Sequence, residues 1–464
     1  MANHYVKKEE YSTTDVAVVI LPFPAHGHMA PLLYFAGRLV SVATISLYFA
    51  GTPREIRRAM DRAHGWDPSS AANIHFHEFP TTPSLSTNTT TLVGEMKQMR
   101  HPVYTFVKQL STQYRRVVVV YDYLMSYLVQ DIDHHSIQNS EAYRFHAMSD
   151  CFSFCFHHKI STTDQPDDHD QLPPEAAEIL KVTPSLDDCF DDPEFYRMVE
   201  GATKVFSGDI YNSNRKIEPL FLDLLEKRKV GGAEKVWALG PFVPVSVPGI
   251  RVSRTRHESL DWLDKQEPDS VVFVAFGSSV SISDKQIKGI ALGLERSEQK
   301  FIWALRDADK DDSNANEATK LSRLPLGFEE RVKERGMIVR DWAPQLEILG
   351  HSATGGFLSH CGWNSCMESI SHGLAMATWP LAFDHPCNAV FVTKVLKIGV
   401  EVLDWERREE IVSAGTVEKA LRTLMASEEG EEIRKRAKEL GNTVKRSLME
   451  SGNETDLFIA QITR

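Results

Sequence analysis

Residues 342–385 of the chain read WAPQLEILGHSATGGFLSHCGWNSCMESISHGLAMATWPLAFDH. The glycine-flanked run Gly355–Ser359 predicts a buried strand, and the polar loop of residues 360–365 opens a helix after it. The apolar run Ala375–Trp379 predicts the next strand. A strand, a helix and a second strand in this order are typical of a parallel sheet with helices packed on its faces.

The same alternation of strands and helices extends on both sides of this stretch. Helices are predicted between apolar, β-branched runs, for example from Asp284 to Glu295. The further predicted strands are Val16–Leu21, Ala43–Phe49, Val117–Tyr121, Val271–Phe276, Phe301–Leu305 and Met337–Val339. We therefore expect an α/β fold of two Rossmann-like, doubly wound domains that face a cleft.

The length of the chain requires more than one domain. A chain of 464 residues exceeds one ordinary core and predicts roughly two or three domains. The apolar stretch 236–248, VWALGPFVPVSVP, is broken by a glycine and three prolines and is typical of an inter-domain linker. We expect an N-terminal domain at 1–240, a linker at 241–255 and a C-terminal domain at 256–445. The last helix, 446–464, is expected to pack back on the N-terminal domain.

The composition restricts the class of protein. Hydrophobic residues make up 42% of the chain and charged residues 25%, as in soluble globular proteins. No apolar run approaches the roughly 20 residues that cross a bilayer, and the N-terminus lacks the apolar core of a signal peptide. We therefore expect a cytoplasmic protein without a membrane partner. The net charge of −12 argues against a nucleic-acid partner.

The six cysteines form no CxxC pair and no zinc framework. We expect reduced thiols and no metal site. Cys361 and Cys366 flank the loop of residues 360–365, where a reactive thiol is one interpretation. We favour the interpretation that both cysteines are small residues packed near a tight turn, because activation of a hydroxyl group by a base needs no covalent nucleophile.

The side chains of residues 342–385 suit the parts of a nucleotide sugar. The indole of Trp342 can stack on a flat base, and the carboxylate of Glu368 can accept hydrogen bonds from ribose hydroxyls. The free amides at a helix start, with the polar side chains of residues 360–365 beside them, can bind a diphosphate. Asp384 follows the next predicted strand and can bind sugar hydroxyls.

Polar groups also follow strands of the first half. In open parallel sheets the ligand lies beyond the carboxyl ends of the strands. His28 and Asp122 each follow a predicted strand of the first half, and the turn 277–279 follows a strand of the second. A histidine takes up a proton near neutral pH, and a carboxylate on its other nitrogen would orient the ring. Such a pair could activate the hydroxyl group of an acceptor molecule. The alternative interpretation is that each residue is an ordinary surface residue without a catalytic role.

These segments resemble a known family. Residues 342–385 resemble the donor-binding signature of plant UDP-sugar-dependent glycosyltransferases that act on small molecules. The segment 22–31, PFPAHGHMAP, resembles a proline-and-GH loop near the N-terminus of that family. The segments GDIYNSNR (208–215), LDWLDKQEP (260–268) and VRDWAPQLEIL (339–349) resemble its zeatin O-glucosyltransferase branch.

The resemblance implies a GT-B fold, with the acceptor in the N-terminal half and the UDP-sugar donor in the C-terminal half. It implies inverting transfer of a hexose to a hydroxyl of a plant small molecule, with a zeatin-like cytokinin as the leading acceptor. His28 would be the general base and Asp122 its partner. No metal and no cofactor beyond the UDP-sugar co-substrate are implied, because helix-end amides and His360 would carry the charge of the leaving group.

The resemblance also assigns each donor-site residue to a part of the UDP-sugar. Trp342 and the Ala343 backbone would bind the uracil, Gln345 and Glu368 the ribose, Ser278, His360, Asn364 and Ser365 the diphosphate, and Trp363, Asp384 and His385 the sugar.

The sugar and the acceptor stay open at this point. His385 stands where the family usually has glutamine, which accompanies glucose use, whereas a histidine there accompanies galactose or arabinose donors. A flavonoid or terpenoid acceptor is the alternative to a cytokinin. The alternative class is a non-catalytic nucleotide-sugar-binding protein, but such a protein would need neither His28 nor Asp122. A dehydrogenase is disfavoured because no GxGxxG follows the first strand.

Overall fold

The computed structural model describes most of the chain. The described residues are 15–43, 45–62, 74–80, 89–132, 136–162, 172–185, 195, 199, 207–229, 235–243, 256–277, 282–305, 324–340, 342–450 and 452–464. Ser278 and most of the predicted linker lie outside them.

The first half of the described chain forms a parallel sheet with the strand order β3-β2-β1-β4-β5-β6-β7. Its strands are β1 Val16–Leu21, β2 Ser46–Gly51, β3 Ile74–Glu78, β4 Arg116–Asp122, β5 Ser140–His146, β6 Asp209–Tyr211 and β7 Val236–Ala238. The helices of this half are α1 His26–Val42, α2 Pro53–Arg62, α3 Thr89–Ser111, α4 Asp150–Thr162, α5 Pro174–Val182 and α6 Pro219–Arg228, and a 3₁₀ helix spans Tyr123–Val129.

The second half forms a parallel sheet with the strand order β10-β9-β8-β11-β12-β13. Its strands are β8 Val271–Ala275, β9 Lys300–Ala304, β10 Gly336–Val339, β11 Thr354–Ser359, β12 Ala375–Thr378 and β13 Gly399–Glu401. Its helices are α7 Glu258–Leu263, α8 Asp284–Ser297, α9 Phe328–Val332, α10 Gln345–Leu349, α11 Trp363–His372, α12 His385–Val390, α13 Ala414–Ala426, α14 Glu428–Met449 and α15 Glu454–Thr463. A π-helical turn spans Phe391–Val395, and a 3₁₀ turn spans Trp405–Arg407. The expected α/β fold of two Rossmann-like domains is therefore confirmed.

Helices cover both faces of the N-terminal sheet, and so its strands are apolar on both sides. Successive side chains of β1 point to opposite faces. Val18 and Ile20 pack in the core that α1 and α15 cover, whereas Ala17 and Val19 pack in the core that α3 covers. These positions are fully buried, and the continuous apolar run of β1 follows from this double burial.

The last helix, α15, lies on the N-terminal sheet although it follows the second half in the chain. Its Phe458 is buried, with its ring centroid 5.1 Å from that of Tyr143 in β5 and 5.2 Å from that of Trp237 in β7. Glu454 at its first turn accepts a hydrogen bond from the backbone N–H of Ala238. The chain therefore crosses back to its first domain at the end.

The stretch 236–248 begins inside the N-terminal sheet, within the domain expected at 1–240. Val236–Ala238 form β7, the edge strand of the N-terminal sheet, and all three residues are buried. Trp237 packs in the core under α15, and the short run is apolar for that reason.

In each sheet the strand order reverses at one point, between β1 and β4 in the first sheet and between β8 and β11 in the second. Ligands of open α/β sheets bind beyond the carboxyl ends of the strands at such a point. His28 and Asp122 lie at this edge of the first sheet, and Gly277 and His360 lie at it in the second. Among the described residues, none of the helices has the length and apolarity that a bilayer crossing requires.

Candidate active site

The histidine and the aspartate predicted as a pair are in contact. His28 lies in the first turn of α1, Asp122 ends β4, and β1 and β4 are neighbours. Nδ1 of His28 lies 2.8 Å from Oδ2 of Asp122, and the other carboxylate oxygen accepts a hydrogen bond from the Leu124 backbone N–H at 3.0 Å. The Asp122 side chain is 1% exposed and that of His28 21%. The carboxylate is fixed on both sides, and Nε2 of His28 is left to act as a base.

The surroundings of His28 make it more basic than an ordinary histidine. Burial lowers the pKa of His28, but the charge of Asp122 and its hydrogen bond raise it, with a further contribution from Asp384. The raising contributions together prevail, and the pKa of His28 lies above its usual value. Asp384 belongs to the other domain, so the charge of the second domain also contributes to the basicity of His28.

His360 occupies a space that two glycines leave for it. A Cβ atom on Gly277 would lie 2.4 Å from Nε2 of His360, and one on Gly362 would lie 2.6 Å from the same atom. Gly277 also has a φ of 75°, in the left-handed region that favours glycine. Gly362 precedes the first residue of α11 and has no side chain to cap that helix. The imidazole therefore lies beside the free amides of a helix start, which is a suitable site for an anion.

Three further predicted residues form a hydrogen-bonded group on α10 and α11. Nε2 of Gln345 donates to Oε2 of Glu368 at 2.5 Å and to Oγ of Ser365 at 3.2 Å. Burial raises the pKa of Glu368 to about 7, although the bond from Gln345 acts in the other direction. Trp342, just before α10, keeps 43% of its surface exposed, and Ala343 beside it is half-buried. An exposed indole near a polar group of this kind can stack on a planar ligand.

Asp384 and His385 lie at the start of α12. Nδ2 of Asn388 donates to Oδ2 of Asp384 at 2.8 Å, and burial raises the pKa of Asp384 to about 6 despite this bond. Nδ1 of His385 accepts the backbone N–H of Ala382 at 3.1 Å, and burial lowers the pKa of His385 well below its usual value. The ring is therefore neutral and carries its proton on Nε2, so that nitrogen can only donate.

The loop before α11 is bonded to the N-terminal domain. The Nε1–H of Trp363, which is buried, donates to the Asn212 carbonyl at 2.8 Å. Nδ2 of Asn364 donates to the Gly27 carbonyl at 2.6 Å, and Nδ2 of Asn212 donates to Oδ1 of Asn364 at 3.3 Å. The indole N–H of Trp363 is thus engaged between the domains, and Asn364 contacts the residue next to the candidate base His28.

Comparisons with known proteins agree with this geometry. The family models "Glycosyltransferase, N-terminal domain" and "UDP-glucoronosyl and UDP-glucosyl transferase" match residues 14–244 and 235–435. A zeatin O-xylosyltransferase of Phaseolus vulgaris is 42% identical over 97% of this chain and 99% of its own length. The chain belongs to the UDP-glycosyltransferase family.

Other relatives support the assignment of this UDP-glycosyltransferase to the expected branch. A zeatin O-glucosyltransferase of Phaseolus lunatus is 43% identical over 97% of this chain and 98% of its own length. The crystal structure of a glycosyltransferase from Siraitia grosvenorii in complex with UDP matches with a TM-score of 0.78 and 26% identity, covering 97% of this chain and all of that one. The expected GT-B fold and the resemblance to the zeatin O-glucosyltransferase branch are confirmed.

The predicted residues that the structure of this UDP-glycosyltransferase describes fall into two groups, one in each domain, and hydrogen bonds of Trp363 and Asn364 join the domains. The N-terminal group is His28 and Asp122, and the C-terminal group is Trp342, Ala343, Gln345, His360, Trp363, Asn364, Ser365, Glu368, Asp384 and His385. Cys361 and Cys366 are fully buried, and burial raises the pKa of the Cys366 thiol well above its usual value.

Sequence reasoning missed three residues of this junction. Asn212 follows β6, Ser149 caps α4, and Asn388 lies one helical turn after Asp384. The sequence could have indicated Asn388, because it lies four residues after Asp384 and residues four apart on a helix lie on one face. For Asn212 and Ser149 the sequence shows only that each follows a strand. Their hydrogen-bond partners lie far away in the sequence, so no local pattern identifies them.

Proposed function

We propose that this UDP-glycosyltransferase transfers a sugar, with glucose as the leading candidate, from a UDP-sugar to a hydroxyl group of a small plant molecule. A zeatin-like cytokinin is the leading acceptor. The observation that carries the proposal is the His28–Asp122 pair, which lies one residue from the Gly27–Asn364 contact with the opposite domain. A base beside a loop that is proposed to bind the nucleotide can deprotonate an acceptor hydroxyl as that hydroxyl attacks the bound donor.

The reaction proposed is a single displacement. The acceptor oxygen attacks the anomeric carbon of the sugar while Nε2 of His28 takes the proton of the acceptor hydroxyl. The bond between the anomeric carbon and the diphosphate oxygen breaks, and UDP leaves with the electron pair. Attack from the face opposite UDP inverts the configuration, from an α-linked donor to a β-linked product. Asp122 stabilises the imidazolium that forms, as its short bond to Nδ1 supports.

The C-terminal group is proposed to bind the donor. Trp342 stacks on the uracil and the Ala343 backbone reads its edge, while Gln345 and Glu368 bind the ribose hydroxyls; the exposed indole and the Gln345–Glu368 bond support these roles. The similar Siraitia grosvenorii structure holds UDP. The diphosphate is assigned to the amides at the start of α11 together with Ser278, His360, Asn364 and Ser365. No metal and no further cofactor take part in this proposal.

The sugar is assigned to Trp363, Asp384 and His385. Asp384 accepts hydrogen bonds from the sugar hydroxyls, and Nε2–H of His385 donates one. Glutamine offers both a donor and an acceptor at such a position, whereas this histidine offers a donor alone, because backbone N–H groups engage its Nδ1. This difference changes the pattern of sugar hydroxyls that the site can bind, so UDP-galactose and UDP-arabinose are the alternative donors. A flavonoid or terpenoid is the alternative acceptor. One of the relatives reported above is a xylosyltransferase and another a glucosyltransferase, and UDP-xylose is therefore included in the test.

Transfer is tested by incubating the purified protein with labelled UDP-glucose, UDP-galactose, UDP-xylose or UDP-arabinose and with zeatin, a flavonol or a terpenoid alcohol. An O-glycoside of inverted anomeric configuration and free UDP in equal amounts are the expected products. His28→Ala should bind UDP as the wild type does and lose transfer by at least about a hundredfold. Undiminished transfer by His28→Ala contradicts the proposed base, and UDP-sugar binding without transfer to any acceptor supports the non-catalytic alternative.

A further inference from the structure

One buried amide joins three parts of the candidate site. Asn388 in α12 is fully buried. Its Nδ2 donates to Oδ2 of Asp384 at 2.8 Å and to the backbone carbonyl of Cys361 at 2.9 Å. Its Oδ1 accepts the hydroxyl of Ser149 at 2.7 Å, and Ser149 belongs to the N-terminal domain. Asn388 therefore links the carboxylate assigned to the sugar, the loop assigned to the diphosphate and the opposite domain.

The orientation of this amide is fixed by the chemistry of its neighbours. Both groups that face Nδ2 are oxygen acceptors, so a flipped amide would place its oxygen against a carbonyl and a carboxylate. Ser149 caps α4, where its Oγ accepts the N–H of Phe152 at 3.2 Å. The hydroxyl proton of Ser149 remains available to donate, and Oδ1 of Asn388 is the acceptor it meets. The N-terminal domain thus supplies the donor to the one oxygen of this amide, and both ends of the Asn388 side chain are held.

The carbonyl that Asn388 holds belongs to a residue in an unusual conformation. Cys361 has a φ of 66°, in the left-handed region that non-glycine residues rarely adopt. Such a conformation persists where surrounding bonds impose it. The bond from Nδ2 of Asn388 to this carbonyl is one of these, together with the bond from the Cys361 N–H to Oγ of Ser359.

We propose that Asn388 is a positioning residue that aims the Asp384 carboxylate at the sugar, and that Ser149 of the opposite domain holds the Asn388 side chain in place through its Oδ1. The inference rests on the proposed function, in which Asp384 binds the sugar of the donor. Its consequence is that the sugar subsite is complete only when the N-terminal domain is docked against the donor loop. The uracil and ribose subsites depend on neither Asn388 nor Ser149.

The charged and titratable groups around Asp384 are few and come from several elements. Among the described residues, His28 of α1 and Cys366 of α11 interact electrostatically with Asp384, and the neighbouring His385 has its ring centroid 4.8 Å from that of His360. Burial already raises the pKa of Asp384 to about 6, and the Asn388 amide opposes that rise. An Asn388→Asp variant replaces the amide nitrogen with a carboxylate oxygen at nearly the same place. Two carboxylates at this distance raise the pKa of Asp384 further.

The test compares the dissociation constants of UDP and UDP-glucose, measured by calorimetry without acceptor. In Asn388→Asp the ratio of the UDP-glucose constant to the UDP constant should rise about tenfold at neutral pH, which corresponds to one lost hydrogen bond to a charged group. The pH at which UDP-glucose binding strengthens should move upward by roughly one unit. The ratio cancels any general loss of affinity from disturbance of the loop at Cys361.

Two further variants keep the test decisive. Ser149→Ala keeps Asn388 itself and should raise the same ratio by about threefold to tenfold, because Oδ1 of Asn388 loses its donor and the side chain is held only at Nδ2. Asn139→Asp is the matched control. Its amide donates to the carbonyls of Ser111, Tyr114 and Arg115 at the opposite edge of the sheet. It should lower thermal stability and leave the ratio and its pH dependence unchanged.

The inference is overturned if UDP and UDP-glucose weaken in parallel in Asn388→Asp and Ser149→Ala, or if Asn139→Asp alters the ratio equally. Turnover is measured separately. A wild type that transfers no sugar contradicts the proposed function, whereas the binding ratio still reports on Asn388. The two failures are therefore distinguishable.

Discussion

At the scale of single residues, the basicity of His28 depends on Asp122. In Asp122→Asn the two contributions of Asp122 that raise the pKa of His28 are removed, while burial, which lowers it most, and the smaller effect of Asp384 remain. The general base must be neutral to act, so the acidic limb of kcat/KM should move to lower pH. At the same time kcat should fall by about a hundredfold or more, because the imidazolium loses its partner.

The measurement is the pH profile of kcat/KM for the wild type and the variant. Asp131→Asn is a suitable control, since it removes a carboxylate from an ion pair with Arg100 whose N···O distance is 2.7 Å and which is more exposed. That change should cost at most about 1 kcal/mol of stability and should not move the limb. An acidic limb that stays in place or moves upward in Asp122→Asn would contradict the assigned pair.

A second prediction at this scale concerns Gly277. In Gly277→Ala the new Cβ would meet the imidazole of His360, and the φ of 75° would be strained. We expect the affinity for UDP to fall by about tenfold or more, because displacement of His360 would remove the hydrogen bond that we propose it makes to the diphosphate. The free energy of unfolding should fall by about 1–3 kcal/mol.

Gly94→Ala is the control for Gly277→Ala. Gly94 lies inside α3, where an added Cβ would meet no neighbouring atom within 4 Å, so the change should be neutral or stabilise by up to about 1 kcal/mol. Calorimetric titration with UDP compares the two variants. Equal UDP affinity in both would show that the space beside His360 is not required.

At the scale of elements, the sequence predicts the strands that carry the site better than the strands beside them. The β-branched runs of β1, β4 and β8 are buried on both faces and are visible in the sequence. The strand β5, SEAYRFH, is equally buried but contains charges. Arg144 in β5 forms two bonds to Asp209 in β6, at 2.6 and 2.9 Å. Since this partner lies on another strand, the pattern of β5 alone indicates a loop.

The start of α4 leads to a prediction about stability. Asp150 and Glu218 are both buried, and burial raises the pKa of each. Glu218 raises the pKa of Asp150 further, whereas the hydrogen bond with Asp150 lowers the pKa of Glu218. Glu218 accepts the N–H groups of Asp150 and Cys151 and the hydroxyl of Ser213. These bonds favour a charged Glu218, so Asp150 is the group that holds the proton. Burial and the neighbouring carboxyl raise the pKa of Asp150 well above its usual value.

Replacement of Asp150 with asparagine should therefore stabilise the protein increasingly as pH rises. A carboxyl whose folded-state pKa is raised contributes stability below its unfolded pKa and loses it as pH rises through the folded value. Asparagine has the shape of the protonated acid and loses nothing. Thermal unfolding of both proteins from about pH 5 to about pH 9 measures the difference. A melting temperature of Asp150→Asn that falls relative to the wild type toward alkaline pH would contradict this assignment.

At the scale of the whole molecule, the sequence predicts which residues lie at the strand ends, but not how the two domains are joined. Asn212 and Asn364 are separated by 152 residues and Ser149 and Asn388 by 239. No local pattern relates such positions, because their contact depends on how one folded domain docks on the other. The side chain of Trp363 illustrates the result: the family resemblance assigns it to the sugar, while its N–H is bonded across the junction.

The hydrogen bond between Trp363 and the Asn212 carbonyl can be measured against an internal reference. Trp363→Phe keeps an aromatic ring in the core but removes the N–H, leaving a buried carbonyl without its donor. Trp303→Phe makes the same exchange in β9, where, among the described residues, the buried Nε1–H has no hydrogen-bond partner. Both variants lose similar volume, so the difference between them isolates the bond.

We expect the free energy of unfolding, measured by circular dichroism in urea, to fall by about 1–2 kcal/mol more in Trp363→Phe than in Trp303→Phe. Because this bond joins the domains, Trp363→Phe should also unfold over a broader range of urea, as the two domains become less coupled. Trp303→Phe should keep the sharp transition, since the bonds between the domains are intact. Equal losses of stability and equally sharp transitions would mean that the bond contributes nothing to docking of the domains.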